Sequence, residues 1–423
     1  MTLNIERRTL NIIIESCLIS LVIFTPLALG TTQPWSIFIL RITVVVALLA
    51  WLLKLLSSKS YSRFTIHDSP LFLPILIFLS VAVISTITSS YKWISLNILT
   101  NLFIYAAVYF LIVKNLKSKA QIKRLITAIL FTSLILGIYG LLQYFNVLRL
   151  TSSVTIPSRV SSTYYNSNHY GGYLALLTPI PVALFLFSRL SWKTLLFAAL
   201  SVLLIINLAL SYSWGSVAFG VGVIFLIIMR VRLSKKRILA TAIAIGVLAF
   251  FALLGALVML GPTAQLPQST WAVRYSRMAD IANVSLFGRL FMYRKTIPLV
   301  LDHPLLGTGP GTFIYAFTPY RPPDLSLLWN YAHNDYLQIA SEMGLIGLAA
   351  FLFFVITALT KGFKAPRSNS NFNRAIIIAA LAGILSILTH GFFDGNLTMI
   401  PANILYFYVL IGVLVSSTSN LEH

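Results

Sequence analysis

Residues 10–56 read LNIIIESCLISLVIFTPLALGTTQPWSIFILRITVVVALLAWLLKLL, two apolar runs (10–30 and 36–56) separated by a turn of five residues. Each run has the ~20 residues that an α-helix needs to cross a ~30 Å hydrocarbon core. In lipid the backbone must satisfy its own hydrogen bonds, so runs of this length are helices. Working outward, the same pattern recurs at 71–90, 94–113, 125–145, 170–188, 194–212, 214–232, 238–260, 343–360, 374–392 and 401–417. The expected fold is therefore all-α integral membrane, one polytopic domain over residues 1–423 with about twelve transmembrane helices.

Composition agrees. Of 423 residues 58% are apolar and 10% charged, where a soluble domain carries about 25% charged residues. This excludes a string of soluble domains, a disordered chain, a coiled coil and collagen. The single cysteine, Cys17, excludes a disulfide framework and a cysteine metal site. A net charge of +21 invites a nucleic-acid partner, but the positions of the charges argue otherwise. With the N-terminus cytoplasmic, 21 basic residues fall on cytoplasmic loops, nine fall outside, and Arg41 lies within a span. That is the positive-inside pattern, and it puts both termini in the cytoplasm. The partner of this charge is the lipid bilayer, and no nucleic acid is expected. The first run, which contains Glu15 and lacks a small-residue cleavage site, reads as a retained span.

Two outer loops are not short: 146–169 is a medium loop and 261–342 a long one. A long loop in an economical chain is usually functional. The second carries Arg274, Arg277, Arg289, Arg294, Lys295 and Arg321 beside Asp280, Asp302, Asp324, Asp335 and Glu342. Ion pairs within a folded cap are one reading of these arginines. As a group they suit an anion site, because guanidinium meets phosphate through a planar two-donor fork. Residues 285–301, SLFGRLFMYRKTIPLVL, mix apolar and basic character and predict a helix lying along the membrane surface. Pro304 and the glycines of Gly307-Thr308-Gly309-Pro310-Gly311 then predict a chain reversal. No nucleotide-loop pattern accompanies these glycines.

His333, in Tyr331-Ala-His333-Asn334-Asp335-Tyr336-Leu337-Gln338, falls at the start of the next helix. A helix N-terminus favours neutral imidazole, which can take a proton from an attacking hydroxyl. A capping or interfacial histidine is the alternative. No second histidine stands at metal-ligand spacing, so no metal is expected.

Taken together, Gly288-Arg289, Asp302-His303-Pro304-Leu-Leu-Gly307-Thr-Gly309-Pro310-Gly311-Thr-Phe313 and His333-Asn334-x-Tyr336-Leu337-Gln338-x3-Glu342-x-Gly344 resemble the O-antigen ligase and polysaccharide polymerase family of bacterial inner-membrane proteins. Arg159-x3-Thr163-x2-Asn166-Ser-Asn168, in the medium loop, adds to the likeness, as does the layout of about twelve spans with one large loop between spans nine and ten. The resemblance implies a GT-C-like membrane glycosyltransferase with residues 261–342 as a periplasmic cap. Its donor would be a polyprenyl-diphosphate-linked glycan. Its acceptor would be a hydroxyl of a glycolipid such as lipid A-core for a ligase, or another lipid-linked repeat unit for a polymerase. No cofactor or metal is implied. His333 would be the base, Arg289 the cation on the leaving diphosphate, and Glu342 an orienting group. Arg159, Asn166, Asn168, Asn334, Tyr336 and Gln338 would bind substrate.

One feature departs from the family. Trp214, in Ser211-Tyr212-Ser213-Trp214-Gly215, stands where the resemblance calls for an arginine, so either Arg274 or Arg277 compensates or the activity differs or is lost. A transporter is the rival from another class, since transporters place ionisable groups inside the bilayer. Here Glu15 and Arg41 on neighbouring spans are expected to form a structural pair, and His390 stands near an outer end.

Overall fold

A computed structural model describes residues 7–57, 68–148, 159–213, 218–220, 222–223, 225–226, 286–321, 330–365 and 370–419. Every regular element among them is a helix. In chain order they are α1 (Arg7–Leu27), α2 (Pro34–Leu56), α3 (Phe72–Thr88), α4 (Lys92–Asn115), α5 (Lys119–Tyr144), α6 (Ser167–Leu177), α7 (Pro179–Phe187) and α8 (Trp192–Leu210). After these come α9 (Leu286–Asp302), α10 (Phe313–Ala316), α11 (Asp335–Phe363), α12 (Asn371–His390), α13 (Asn396–Met399) and α14 (Pro401–Ser419). Nine helical stretches among the described residues are long and apolar enough to cross a membrane, counting α6 and α7 as one, and α3 is a shorter apolar helix. The chain is thus an all-α, multi-pass membrane protein. The run expected at 238–260 lies outside the described residues, as do most of 214–232 and loop residues 261–285 and 322–329.

The helix boundaries follow local chemistry. At the start of α5, Ser118 accepts the N–H of Gln121 while the Gln121 side chain accepts the N–H of Ser118, a reciprocal cap for two orphan donors. Pro34 opens α2, where a missing N–H costs nothing. The run 170–188 is interrupted at Thr178, where Pro179 and Pro181 remove two amide donors. At the centre stands α14, apolar around its circumference and buried throughout its span, packed on α4, α12, α11 and α6. By contrast α2 is mostly uncovered, as a lipid-facing helix should be.

The expected pair of Glu15 with Arg41 does not form. Glu15 binds Arg124 of α5 through both carboxylate oxygens. Arg41 turns instead to α4, where it donates to the side chains of Asn97 and Asn101. The carboxylate of Glu15 lies near the start of α5, whereas Arg41 lies near the opposite ends of α2 and α4. Adjacent spans run antiparallel, so sequence neighbourhood did not mean common depth.

Near the candidate site the backbone does the positioning. The helix α11 breaks at Gly344 (φ 70°, ψ −178°), which leaves nearby carbonyls without helical partners. The glycine turn takes them up: Thr308 N–H donates to the Ser341 carbonyl at 3.1 Å and Gly309 N–H to that of Glu342 at 2.8 Å. In return, Leu345 N–H donates to the Pro304 carbonyl at 2.7 Å. The chain reversal read from Pro304 to Gly311 thus exists because a broken helix supplies its acceptors.

Candidate functional site

The helix expected at 285–301 is present as α9. Its buried Met292 and Leu299 pack with Phe313, Phe317 and Ala332 in a small core separate from the main bundle core. This packing lays Arg289 and Tyr293 against the segments that precede α11 and follow α12. Asn334 is the N-cap of α11, its Oδ1 accepting from the N–H groups of Tyr336 and Leu337. His333 therefore sits one residue outside the helix, with a left-handed backbone (φ 50°).

The imidazole Nδ1 of His333 lies 3.1 Å from Oδ1 of Asp394, a residue of the turn between α12 and α13. The other oxygen of Asp394 lies 3.8 Å from Nη2 of Arg289. One carboxylate thus stands between the two residues singled out as base and cation. Asp394 and Arg289 are enclosed, at 2% and 1% exposure, whereas His333 keeps 19%. The histidine is the member of the trio open to an incoming group. A carboxylate only accepts, so Nδ1 carries the hydrogen, and in the neutral ring the lone pair is then on Nε2. Burial works to raise the pKa of Asp394, but the His333 hydrogen bond and the charge of Arg289 prevail and hold it well below the usual carboxylate range.

The surroundings fix this trio. The Tyr293 hydroxyl donates to the carbonyls of His333 and Phe392, and burial pushes its pKa up to about 12, so it stays a donor. The Asp335 carboxylate accepts from the Leu397 N–H and the Thr398 hydroxyl, holding α13 against the start of α11. Asp335 N–H donates to the Gly391 carbonyl at 2.8 Å. Asn334 Nδ2 donates to Phe392, whose ring packs on Tyr336 at 4.5 Å between centroids. Buried His390 meets Asn396 at 2.8 Å through Nδ1 and Ser213 at 3.4 Å through Nε2.

The other sequence candidates are placed as follows. Glu342 is buried and accepts from the N–H groups of Gly311 and Phe313 and from Gln338 Nε2. Gln338 in turn accepts the Ala332 N–H. Both hold the glycine turn and the approach to His333 in place. Tyr336 donates to the Leu388 carbonyl. Arg159 donates to the carbonyls of Ser211 and Tyr212 and, at 2.6 Å, to Asn168 Oδ1. Asn166 caps α6 by accepting the Asn168 N–H. Arg159 and the trio are linked through the chain: Tyr212 precedes Ser213, which meets His390 four residues before Asp394. Arg274, Arg277 and Trp214 lie outside the described residues. Among the described residues no group of three or more His, Cys, Asp or Glu is placed to hold a metal ion.

Asp394 is the functional candidate that motif reading missed. It is the sole charged residue between 391 and 400, at an outer span end, and that isolation was the available signal. His390, placed by the sequence near an outer span end, has Asn396 and Ser213 as its polar neighbours.

The fold and this trio define a multi-pass membrane protein with a carboxylate-oriented histidine and a buried guanidinium at one end of its bundle. Residues 199–352 match the family described as O-antigen ligase. This stretch, which includes Arg289, His333 and Glu342 and ends before Asp394, is what the chain shares with that family. No curated protein matches the chain.

Proposed function

We propose that this protein transfers a glycan from a polyprenyl-diphosphate carrier to a hydroxyl of a glycolipid of the lipid A-core kind, at the periplasmic face of the inner membrane and without a metal. The observation that carries this reading is the single carboxylate of Asp394 between His333 and Arg289. Nε2 of His333 accepts the proton of the acceptor hydroxyl as its oxygen bonds to the anomeric carbon. The bond from that carbon to the diphosphate oxygen breaks, and the electron pair leaves with the diphosphate. Arg289, joined by Arg159, meets the charge that develops there. Asp394 holds the imidazole in the accepting tautomer and stabilises the imidazolium once formed. Arg289 on α9 and His333 before α11 face the outer leaflet in this reading, from which a lipid-linked donor enters laterally.

The test is reconstitution in lipid nanodiscs with a polyprenyl-diphosphate glycan and lipid A-core as acceptor. Glycan joined to lipid A-core, lost in Arg289→Ala and His333→Ala proteins that still insert, is the expected result. Chain growth on a second lipid-linked unit would replace the ligase reading with a polymerase. No consumption of donor with either acceptor would overturn transfer.

A further inference from the structure

Arg41 lies seven residues into α2, about 10 Å from the helix start at 1.5 Å per residue. That end of α2 is the end that carries the trio. At the matching end of the adjacent α4, the ring of Tyr91 stacks on Tyr315 at 4.9 Å, beside the glycine turn. Side chains on a helix lean toward its N-terminus, so the guanidinium is directed to the membrane boundary rather than the midplane. Trp35 and Trp93, at the starts of α2 and α4, are 52% and 82% exposed. Exposed tryptophans at helix ends mark the headgroup boundary.

The surroundings of Arg41 are lipid-facing. Phe38, Ile42 and Val45 on α2 and Leu96 on α4 are all exposed large apolar side chains. Yet this arginine has only neutral acceptors. Nε donates to Asn101 Oδ1 at 2.9 Å, and Nη2 donates to the side-chain and main-chain oxygens of Asn97. Among the described residues no carboxylate forms an ion pair with Arg41, and its Nη1, with two N–H groups, has no protein acceptor. Two amides orient the fork without neutralising it. A full positive charge on an apolar, lipid-facing surface requires an anion or water. The anion available to a lipid-facing fork near the headgroup boundary is a phosphate carried on a lipid tail.

We infer that Arg41, Asn97 and Asn101 form a binding site for the phosphate of a membrane lipid, on the lipid-facing side of α2 and α4 and apart from the His333–Asp394–Arg289 trio. The two asparagines hold the guanidinium plane, and Nη1 supplies the donors to the phosphate oxygens. Tail contacts come from the flanking apolar side chains. This inference stands whether or not the transfer reading does.

The experiment is native mass spectrometry of the full-length protein released from detergent micelles containing phosphatidylglycerol, with diacylglycerol of the same chains as the phosphate-free control. The wild type should retain phosphatidylglycerol in preference to diacylglycerol, and Arg41→Gln should lower that retention roughly tenfold, as expected for one lost charge-assisted contact. Arg41→Lys, which keeps the charge but not the fork, should fall between the two. Equal retention of the two lipids by the wild type would overturn the site without recourse to any variant, as would an unchanged lipid load on Arg41→Gln. Polyprenyl phosphate in place of phosphatidylglycerol distinguishes the sources. Tighter retention of it supports a site for the glycan carrier, and equal retention supports a site for headgroup phosphate in general. Displacement of neither lipid by 10 mM-scale inorganic phosphate, at roughly a hundred times the lipid concentration, is expected if the tail contributes as argued; full displacement would overturn the lipid assignment.

Discussion

The hydroxyl of Tyr293 donates to the main-chain carbonyl of His333 at 3.0 Å, tying α9 to the residue that precedes α11. His333 has φ 50°, a conformation that costs a side-chain-bearing residue about 1 kcal/mol or more. The tyrosine holds it there, and with it the direction of the imidazole. Tyr293→Phe keeps the ring and removes the hydroxyl that His333 and Phe392 share. Its turnover number should fall roughly tenfold, the equivalent of ~1.4 kcal/mol in the transition state, while KM for the donor stays near the wild-type value. Steady-state kinetics in nanodiscs separate the two. A rise in KM alone would make Tyr293 a binding residue instead.

Asp394 ionises more readily in the fold than in an unfolded chain, where a carboxyl titrates near ~3.9. A depressed folded pKa contributes stability that is fully present above about pH 3.9 and is lost as pH falls through the lower, folded value. Asp394→Asn should therefore melt at a lower temperature than the wild type in detergent at about pH 5–8, and the gap should narrow below about pH 4. Thermal unfolding followed across this range by intrinsic fluorescence gives the comparison. A gap that widens on acidification would contradict the sign.

Gly344 admits no side chain. A Cβ built there would stand 2.1 Å from the Leu305 carbonyl oxygen, on a backbone with φ 70°. Neither a rotamer change nor a small helix shift relieves a clash with main chain. Gly344→Ala should separate the glycine turn from α11 and free the Ser341 and Glu342 carbonyls that the turn caps. Loss of the monodisperse peak in detergent is expected, at a cost of several kcal/mol. A well-behaved Gly344→Ala protein would show that the break in α11 is dispensable.

Much of this was legible in the residues. Ten of the expected apolar runs coincide with the described helices because run length alone decides a membrane span. Arg289 and His333 could be singled out among the loop's several arginines and two histidines because they stand in the motifs that carry the resemblance. Asp394 escaped because it lies 61 residues beyond His333 and belongs to no local motif. Its partners arrive only when α11 and α12 pack end to end. The same limit explains Glu15 and Arg41, whose depths depend on which end of each helix is outside. Glu342 shares a motif with His333, and its carboxylate accepts from main-chain donors of the glycine turn and from Gln338, partners that its place in the motif did not announce.

His333 and Asp394 act as one unit if the carboxylate serves by orienting the imidazole. Removing a general base costs about 10²–10⁴-fold in rate, so His333→Gln, which keeps a hydrogen-bonding amide without basicity, should lose transfer to that extent. Asp394→Asn should lose a comparable factor, because an amide at the position 3.1 Å from Nδ1 no longer enforces the accepting tautomer at Nε2. Residues that work through each other do not multiply their losses. The double variant His333→Gln/Asp394→Asn should therefore be about as slow as the worse single variant, measured as initial rate of glycan transfer at saturating donor. If the double variant instead shows the product of the two losses, Asp394 contributes independently of His333. Its pairing with Arg289 at 3.8 Å would then be the contact through which it acts.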